Sequence, residues 1–310
     1  MNNNTTTISD EKDHSIHLYF IYIFVIITFS LIILRIFLYF FEISPWIKET
    51  KDIDFKILIE GMDNGLINFY DEIPNQKWPP YYLYFWYFIF FPIYILPFKF
   101  YIGVYIWDIL RLVLSVYVIK KANKEFENKK DLLIFYIFST VGYSFDAYYN
   151  NVNFLIVFFL FNSYLFLQKD KMWLAGIFFT LATFKITAIL FVPVLLLSKK
   201  IKWKELIYFL IPFVIICIPY LIFPNYFTQM FNNWMSSDEE VEGILIFDSI
   251  LWKALQPSHL MFIGLLAIIF IENIEGDKRK RILRVIVVSI ISIYYIYLTY
   301  IVFIKPVILT

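Results

Sequence analysis

The chain has 310 residues, of which 60% are hydrophobic, 22% aromatic and only 17% charged, and its mean hydropathy is +0.68. Soluble domains are typically about 45–50% apolar, so this composition excludes an ordinary soluble domain and predicts an integral membrane protein. Lys and Arg number 27 against 26 Asp and Glu, a net charge of +1 that leaves no basic face for nucleic acid, and the single Cys217 excludes an internal disulfide or a cysteine metal cluster.

In chain order, the N-terminus MNNNTTTISDEKDHSIH lacks the basic region and short apolar core of a cleavable signal. Residues 18–41 are therefore expected to remain as a first membrane helix. Further apolar segments fall at 81–98, 100–119, 132–147, 152–167, 172–198, 206–223, 250–271 and 283–304. The loops between them set the orientation. Loop 120–131 carries five Lys, loop 199–205 carries four, and Lys278, Arg279, Lys280, Arg281 and Arg284 crowd the stretch 272–284, so these three face the cytoplasm by the positive-inside rule. Loop 42–80 has eight acidic residues against four Lys, and 224–248 has five acidic residues with no Lys or Arg, so both face outward.

If both 81–98 and 100–119 spanned, the Lys-rich loop at 120 would land outside, so one of them stops short, and 81–98 is the one expected to. Pro92 and Pro97 within it, Pro79 and Pro80 before it, and its Tyr and Trp content suit an interfacial or re-entrant element. Segment 172–198, flanked by Lys at both ends, reads as a hairpin bent near Lys185. An unbroken helix through Lys185 is the competing arrangement, and it would place the Lys-rich loop at 120 outside. The expected fold is all-α, one polytopic domain with about nine transmembrane helices. It comprises a first helix at 18–41, an outer loop at 42–99, core helices at 100–223, a second outer loop at 224–249 and C-terminal helices at 250–310, with the N-terminus inside and the C-terminus outside.

Several residues stand where lipid tolerates them only for a reason. Lys185, in LAGIFFTLATFKITAILFVPVLLL, lies ten or more residues from either flank, and a lysine so deep costs about 2.5–3.5 kcal/mol. It either snorkels at a bend or binds an anion such as a lipid phosphate. Asp108 and Arg111 in WDILRL are spaced to neutralise each other on one helix face, a structural pair set toward the cytoplasmic end, and Arg35 in the first helix is expected to snorkel. In the outer loop, Asp52 and Asp54 come just before an apolar run. A carboxylate held there can take a proton from a hydroxyl nucleophile or ligate a divalent cation, although a solvated acidic face has the same spacing. In FDAYYNNVNFL, Asp146, Asn150, Asn151 and Asn153 form a turn between apolar runs, and the same side chains suit sugar hydroxyls, with Tyr148, Tyr149 and Trp78 as neighbouring rings. No glycine-rich nucleotide loop and no helical HExxH pair occurs, so a donor delivered through the membrane fits better than a nucleotide.

Together these features resemble the GT-C superfamily of membrane glycosyltransferases, over about residues 45–257. The likeness is to the polyprenol-phosphate-mannose-dependent mannosyltransferases once grouped as a domain of unknown function. It is carried by Asp54-Phe55, Gly65, Tyr70, Trp78-Pro79-Pro80, Asn150-Asn151-Val152-Asn153, Ala175-Gly176, Lys185 and Pro193, and by FDSILWKAL after the second acidic loop. Trp78 stands where that family has Tyr, and Asn150-Asn151 stands for Gly-Gln. The DIDF string is similar to the Asp-x-Asp of the catalytic subunit of glycosylphosphatidylinositol mannosyltransferase I.

The resemblance implies inverting transfer of a hexose, mannose above all, from a polyprenyl- or dolichyl-phosphate donor to a glycolipid or glycan acceptor, on the outer or lumenal face of the plasma membrane or endoplasmic reticulum. Asp54 would be the general base, with Asp52 as its neighbour or as ligand of a Mg or Mn ion. Lys185 would hold the donor phosphate, and Asp146, Asn150, Asn153, Trp78 and Tyr81 would read sugar or acceptor. Two other classes compete: a flippase or transporter of a lipid-linked substrate, which would also bury charges, and an accessory membrane subunit, for which Asp54 and Lys185 would be dispensable. The absence of an internal repeat and the acidic outer loop favour the enzyme.

Overall fold

A computed structural model of the chain describes residues 5–41, 51–65, 68–71, 81–236 and 257–299. Every regular element among them is helical, which is how a chain in lipid satisfies its own backbone. The helices are α1 (Thr5–Phe40), α2 (Ile53–Gly61), α3 (Trp86–Tyr94), α4 (Ile102–Glu125), α5 (Lys129–Tyr149), α6 (Asn153–Gln168), α7 (Met172–Ala182), α8 (Phe191–Leu197), α9 (Ile207–Ile216), α10 (Ile218–Ile222), α11 (Asn225–Ser236), α12 (Leu260–Asn273) and α13 (Asp277–Thr299).

Among the described residues two stretches are long and apolar enough to cross a membrane, Ile16–Phe40 of α1 and Ile102–Glu125 of α4. Both turn large apolar side chains outward: Tyr22, Ile26, Phe29 and Ile33 from α1, Ile109 and Val113 from α4. Apolar stripes of that extent need a nonaqueous neighbour, and lipid supplies it.

The nine full crossings expected from sequence are not matched by helix lengths. α6, α7 and α12 have 16, 11 and 14 residues, and 206–223 splits at Cys217 into α9 and α10 because Pro219 withholds the N–H that a continuous helix needs. The first helix begins well before residue 18. α3 has nine residues, about 14 Å at 1.5 Å per residue, too short to span.

α6 is the central helix, buried on nearly every side and packed against α4, α7 and α12. The stretch around Lys185 is a hairpin, not an unbroken helix. α7 ends at Ala182, Lys185 is extended (φ −103°, ψ 116°), and a 3-10 turn at Ile186–Leu190 leads into α8. Both feet of the hairpin stand at the C-terminal end of α6: Lys171 N–H bonds the Phe166 carbonyl at 2.9 Å, and Lys200 Nζ lies 5.7 Å from the Tyr164 ring centre. Its apex, at Phe184 and Lys185, reaches the N-terminal end, where Lys185 Nζ meets Asn153. Gly176 makes the hairpin's seat possible, since a Cβ there would stand 1.8 Å from the Tyr208 carbonyl oxygen on α9.

The end of the bundle opposite the apex gathers the three basic stretches. Arg284 forks onto Asp131 at 2.5 and 2.8 Å, the Asn128 N–H bonds Glu272 at 3.2 Å, and Asn273 donates to the Tyr164 hydroxyl at 3.1 Å.

Candidate active site

The apex end is built from two turns. α5 stops at Tyr149 because Asn150 turns left-handed (φ 56°, ψ 44°), and α6 starts at Asn153, whose N–H donates to Asp146 Oδ1 at 3.1 Å. Asp146 thereby caps the incoming helix, as an acceptor at a helix start should. Across from it, Asp52 precedes α2, also left-handed (φ 63°, ψ 21°), and its N–H donates to the Tyr148 carbonyl at 3.1 Å. Asn and Asp are the non-glycine residues that best tolerate this conformation, and these two are joined side chain to side chain, Asn150 Nδ2 to Asp52 Oδ1 at 2.6 Å. α2 is pinned below by Phe55, which lies between Phe90 of α3 and Trp107 of α4 with ring centres 6.3 Å away on each side.

Four cations and four carboxylates meet here. In one half they pair directly. Arg35 of α1 donates from Nε and Nη2 to the two oxygens of Asp52, at 2.5 and 2.9 Å, and from Nη1 to Asp108 at 2.6 Å. Lys51 donates to Asp52 as well. Arg111 donates to Asp108 at 2.6 Å and to Asn150, and its Nε stands 3.8 Å from Asp146 Oδ2. Burial alone would raise the Asp52 carboxyl, but the bonds and charges of Arg35 and Lys51 override it and hold the group below the usual carboxylate range. Burial pushes Lys51 down to about 8 despite Asp52.

In the other half no direct ion pair forms. Asp54, half-buried in the first turn of α2, accepts from Asn151 Nδ2 at 2.6 Å. The oxygen of the same amide accepts from Lys185 Nζ at 3.4 Å, and Asn153 Oδ1 takes a second bond from that ammonium at 3.1 Å. Lys185 is buried. Burial pushes the Asp54 carboxyl up to about 6, Asp146 adding to the rise while Lys185 and the Asn151 bond oppose it. A strap closes this side: the Leu83 N–H bonds the Phe184 carbonyl at 3.0 Å, Tyr81 stacks on Tyr82 at 4.8 Å, and Trp86 stacks on Phe184 at 4.2 Å.

The sequence-predicted residues Asp52, Asp54, Asp146, Asn150, Asn153 and Lys185 thus gather at one end, with Tyr81 on the strap beside them. Trp78 lies outside the described residues. Three readings are corrected. Arg35 does not snorkel, because Asp52, Asp108 and the Tyr105 ring, 5.0 Å from its guanidinium, draw it inward. The Asp108–Arg111 pair forms as expected but belongs to the polar end, since helical side chains lean toward their N-terminus and on α4 that is the apex end. Asp52 does not fit a divalent-cation site shared with Asp54, because both its oxygens already face Arg35, with Lys51 and Asn150 beside them. Among the described residues no group of three or more His, Cys, Asp or Glu could hold a metal ion. Lys51 drew no notice in the sequence, and Asn151 was named only with its turn and given no role of its own. Asn151 stood inside the Asn-rich turn with nothing to mark it from its neighbours, and Lys51 carried no signal of burial.

No curated protein and no solved structure matches the chain. The family model of glycosyltransferase family 87 matches residues 81–291, which include the Asp146–Asn153 turn, the hairpin with Lys185 and the strap. With about two thirds of its length matched, this helical membrane chain belongs to glycosyltransferase family 87 and is an enzyme that transfers a sugar from a donor to an acceptor.

Proposed function

We propose that the enzyme transfers a hexose, mannose first among the candidates, from a polyprenyl- or dolichyl-phosphate donor to a glycolipid or glycan hydroxyl, with inversion. The observation that carries this reading is the meeting of Asp54 and Lys185 across one amide, Asp54 to Asn151 at 2.6 Å and Asn151 to Lys185 at 3.4 Å. A base and a cation held that close, without neutralising each other, suit the two ends of one displacement. Asp54 takes the proton of the acceptor hydroxyl, whose oxygen attacks the anomeric carbon. The bond from that carbon to the phosphate oxygen breaks, its electron pair stays on the phosphate, and Lys185 balances the added charge. One displacement inverts the centre. A base near 6 is ionised at neutral pH yet still accepts a proton, the compromise general-base catalysis requires. Fixed positive charge aimed at a departing anion is often the largest catalytic contribution.

The membrane arrangement that suits this chemistry keeps the polyprenyl chain in lipid and the site at the outer or lumenal face. The basic stretches at the opposite end of the bundle support that orientation, and so does the hairpin, which removes one pair of conflicting flanks. The chain would then cross about nine times, several of the crossings made by helices shorter than a full span. Asp146 and Asn153 sit beside Lys185 and offer hydroxyl partners to donor or acceptor; Asn150 is taken up by Asp52 and Arg111 and serves the scaffold. The test is direct. Purified protein is given dolichyl-phosphate mannose or dolichyl-phosphate glucose with native glycolipids, and products are read by mass spectrometry beside Asp54→Asn. A hexose added by the native chain and not by the variant is expected. Equal transfer by both removes Asp54 from the mechanism, and no transfer from either donor overturns the donor class.

A further inference from the structure

Asn151 accepts two hydrogen bonds on its side-chain oxygen and donates one from its side-chain nitrogen, in an arrangement that leaves its amide one orientation. The Val152 N–H points at Oδ1 from 2.7 Å and Lys185 Nζ approaches the same oxygen at 3.4 Å, so Oδ1 must be the acceptor and Nδ2 must face Asp54, 2.6 Å away. Its backbone is fixed as well, with its N–H on the Asp146 carbonyl at 2.9 Å and its carbonyl taking the Trp107 indole at 3.3 Å. The residue is 5% exposed.

Resting on the transfer reaction proposed above, we infer that Asn151 is a positioning residue of that reaction, which fixes the carboxylate of Asp54 and the ammonium of Lys185 at one amide's width. Without it the two would collapse into an ion pair like those of Arg35 and Asp52. That pair would cancel the base and the phosphate site together. The amide satisfies each partner while keeping them apart, so that both remain available to a substrate. The groups facing Asp54 are Lys185 from the hairpin, Asp146 and Tyr149 from α5, Tyr82 from the strap and Asn151 itself.

Asn151→Asp tests both sides of the clamp. It keeps an acceptor oxygen toward Val152 and Lys185, now carrying charge, and replaces the donor toward Asp54 with a second carboxylate oxygen. In the transfer assay the acid limb of kcat/KM should move upward by about one pH unit, as for two carboxylates sharing a site, lowering kcat/KM at pH 6 about fivefold beyond any pH-independent loss, while KM for the lipid donor rises because the new carboxylate pairs with Lys185. Asn151→Ala, with no bond on either side, should lose kcat at every pH. A folded Asn151→Asp protein, monodisperse and melting as the native does, with an unmoved acid limb overturns the positioning role, and so does a folded Asn151→Ala protein with native kcat. If neither variant folds, Asn151 is a structural residue and the inference fails. Normal transfer by Asp54→Asn would instead sink the reaction on which it rests.

Discussion

Two halves of one polar cluster, a few residues apart, treat charge in opposite ways. Around Arg35, Asp52, Asp108 and Arg111, cations touch carboxylates directly at 2.5–2.9 Å. Around Asp54 and Lys185, every close contact runs through an amide. Direct pairing makes buried charges tolerable and ties α1, α2 and α4 together, at the cost of removing those groups from chemistry. Separation leaves a carboxylate with a raised proton affinity and an ammonium with only neutral partners. The difference teaches where to look in a membrane protein with many buried charges: on the proposed mechanism, the groups that act on substrate are those the fold keeps unpaired.

That contrast can be broken from either side. The largest effect belongs to Asp54→Asn, which should lower transfer about 10²–10⁴-fold at neutral pH, as loss of a general base does. Expression and monodispersity should be unchanged. Arg35→Ala should do the reverse, destabilising the chain by about 3–5 kcal/mol because Asp52 and Asp108 lose a buried partner. A thermal-shift measurement in detergent reads it directly, and a melting temperature within a degree of native would show that the paired half does not hold the fold. Lys185→Ala is milder than either. By losing charge-assisted bonds to phosphate it should raise KM for the lipid donor about 10–100-fold, while acceptor dependence changes less. Unchanged donor dependence would remove Lys185 from the phosphate site.

The smallest effects sharpen the comparison through pH. With Asp54 pushed up to about 6, transfer should fall as pH drops below about 6, on one proton. The sign for stability is opposite. A carboxyl whose folded value lies above the unfolded one, about 3.9, contributes stability at low pH that is lost as pH rises through the folded value. Asp54→Asn should therefore melt slightly higher than the native chain at pH 7.5 and show no such gain at pH 4. A variant that loses activity and gains stability is the mark of a group strained for function. A lower melting temperature at pH 7.5 would place Asp54 with the structural acids instead.

The arrangement of Asp52 and Asp54 shows how far sequence carries. Two acids two residues apart just before an apolar run flagged the place, and the depth of Lys185 in an apolar run flagged its partner. Nothing in DIDF distinguishes the acid that Arg35 neutralises from the acid that faces Asn151; only the left-handed turn at Asp52 and its bond to Tyr148 decide that. Arg35 itself illustrates the limit. Its own helix offers no carboxylate within a turn, so snorkelling was the reasonable expectation, and its partners come from residues 17 and 73 positions away.

By itself the sequence determined that the chain is helical, lies in a membrane, carries its cations and acids in separate stretches, and interrupts the hairpin near Lys185. These follow from local composition, because hydropathy, proline and loop charge act over a few residues. The tertiary structure alone decided which charges pair. A carboxylate's partners are set by which helix ends meet in space, and α1, α2, α4, α5, α6 and the hairpin apex converge on one point from positions scattered between residues 35 and 185. Coulomb and hydrogen-bond energies depend on separations of a few ångströms, and no spacing along the chain encodes those.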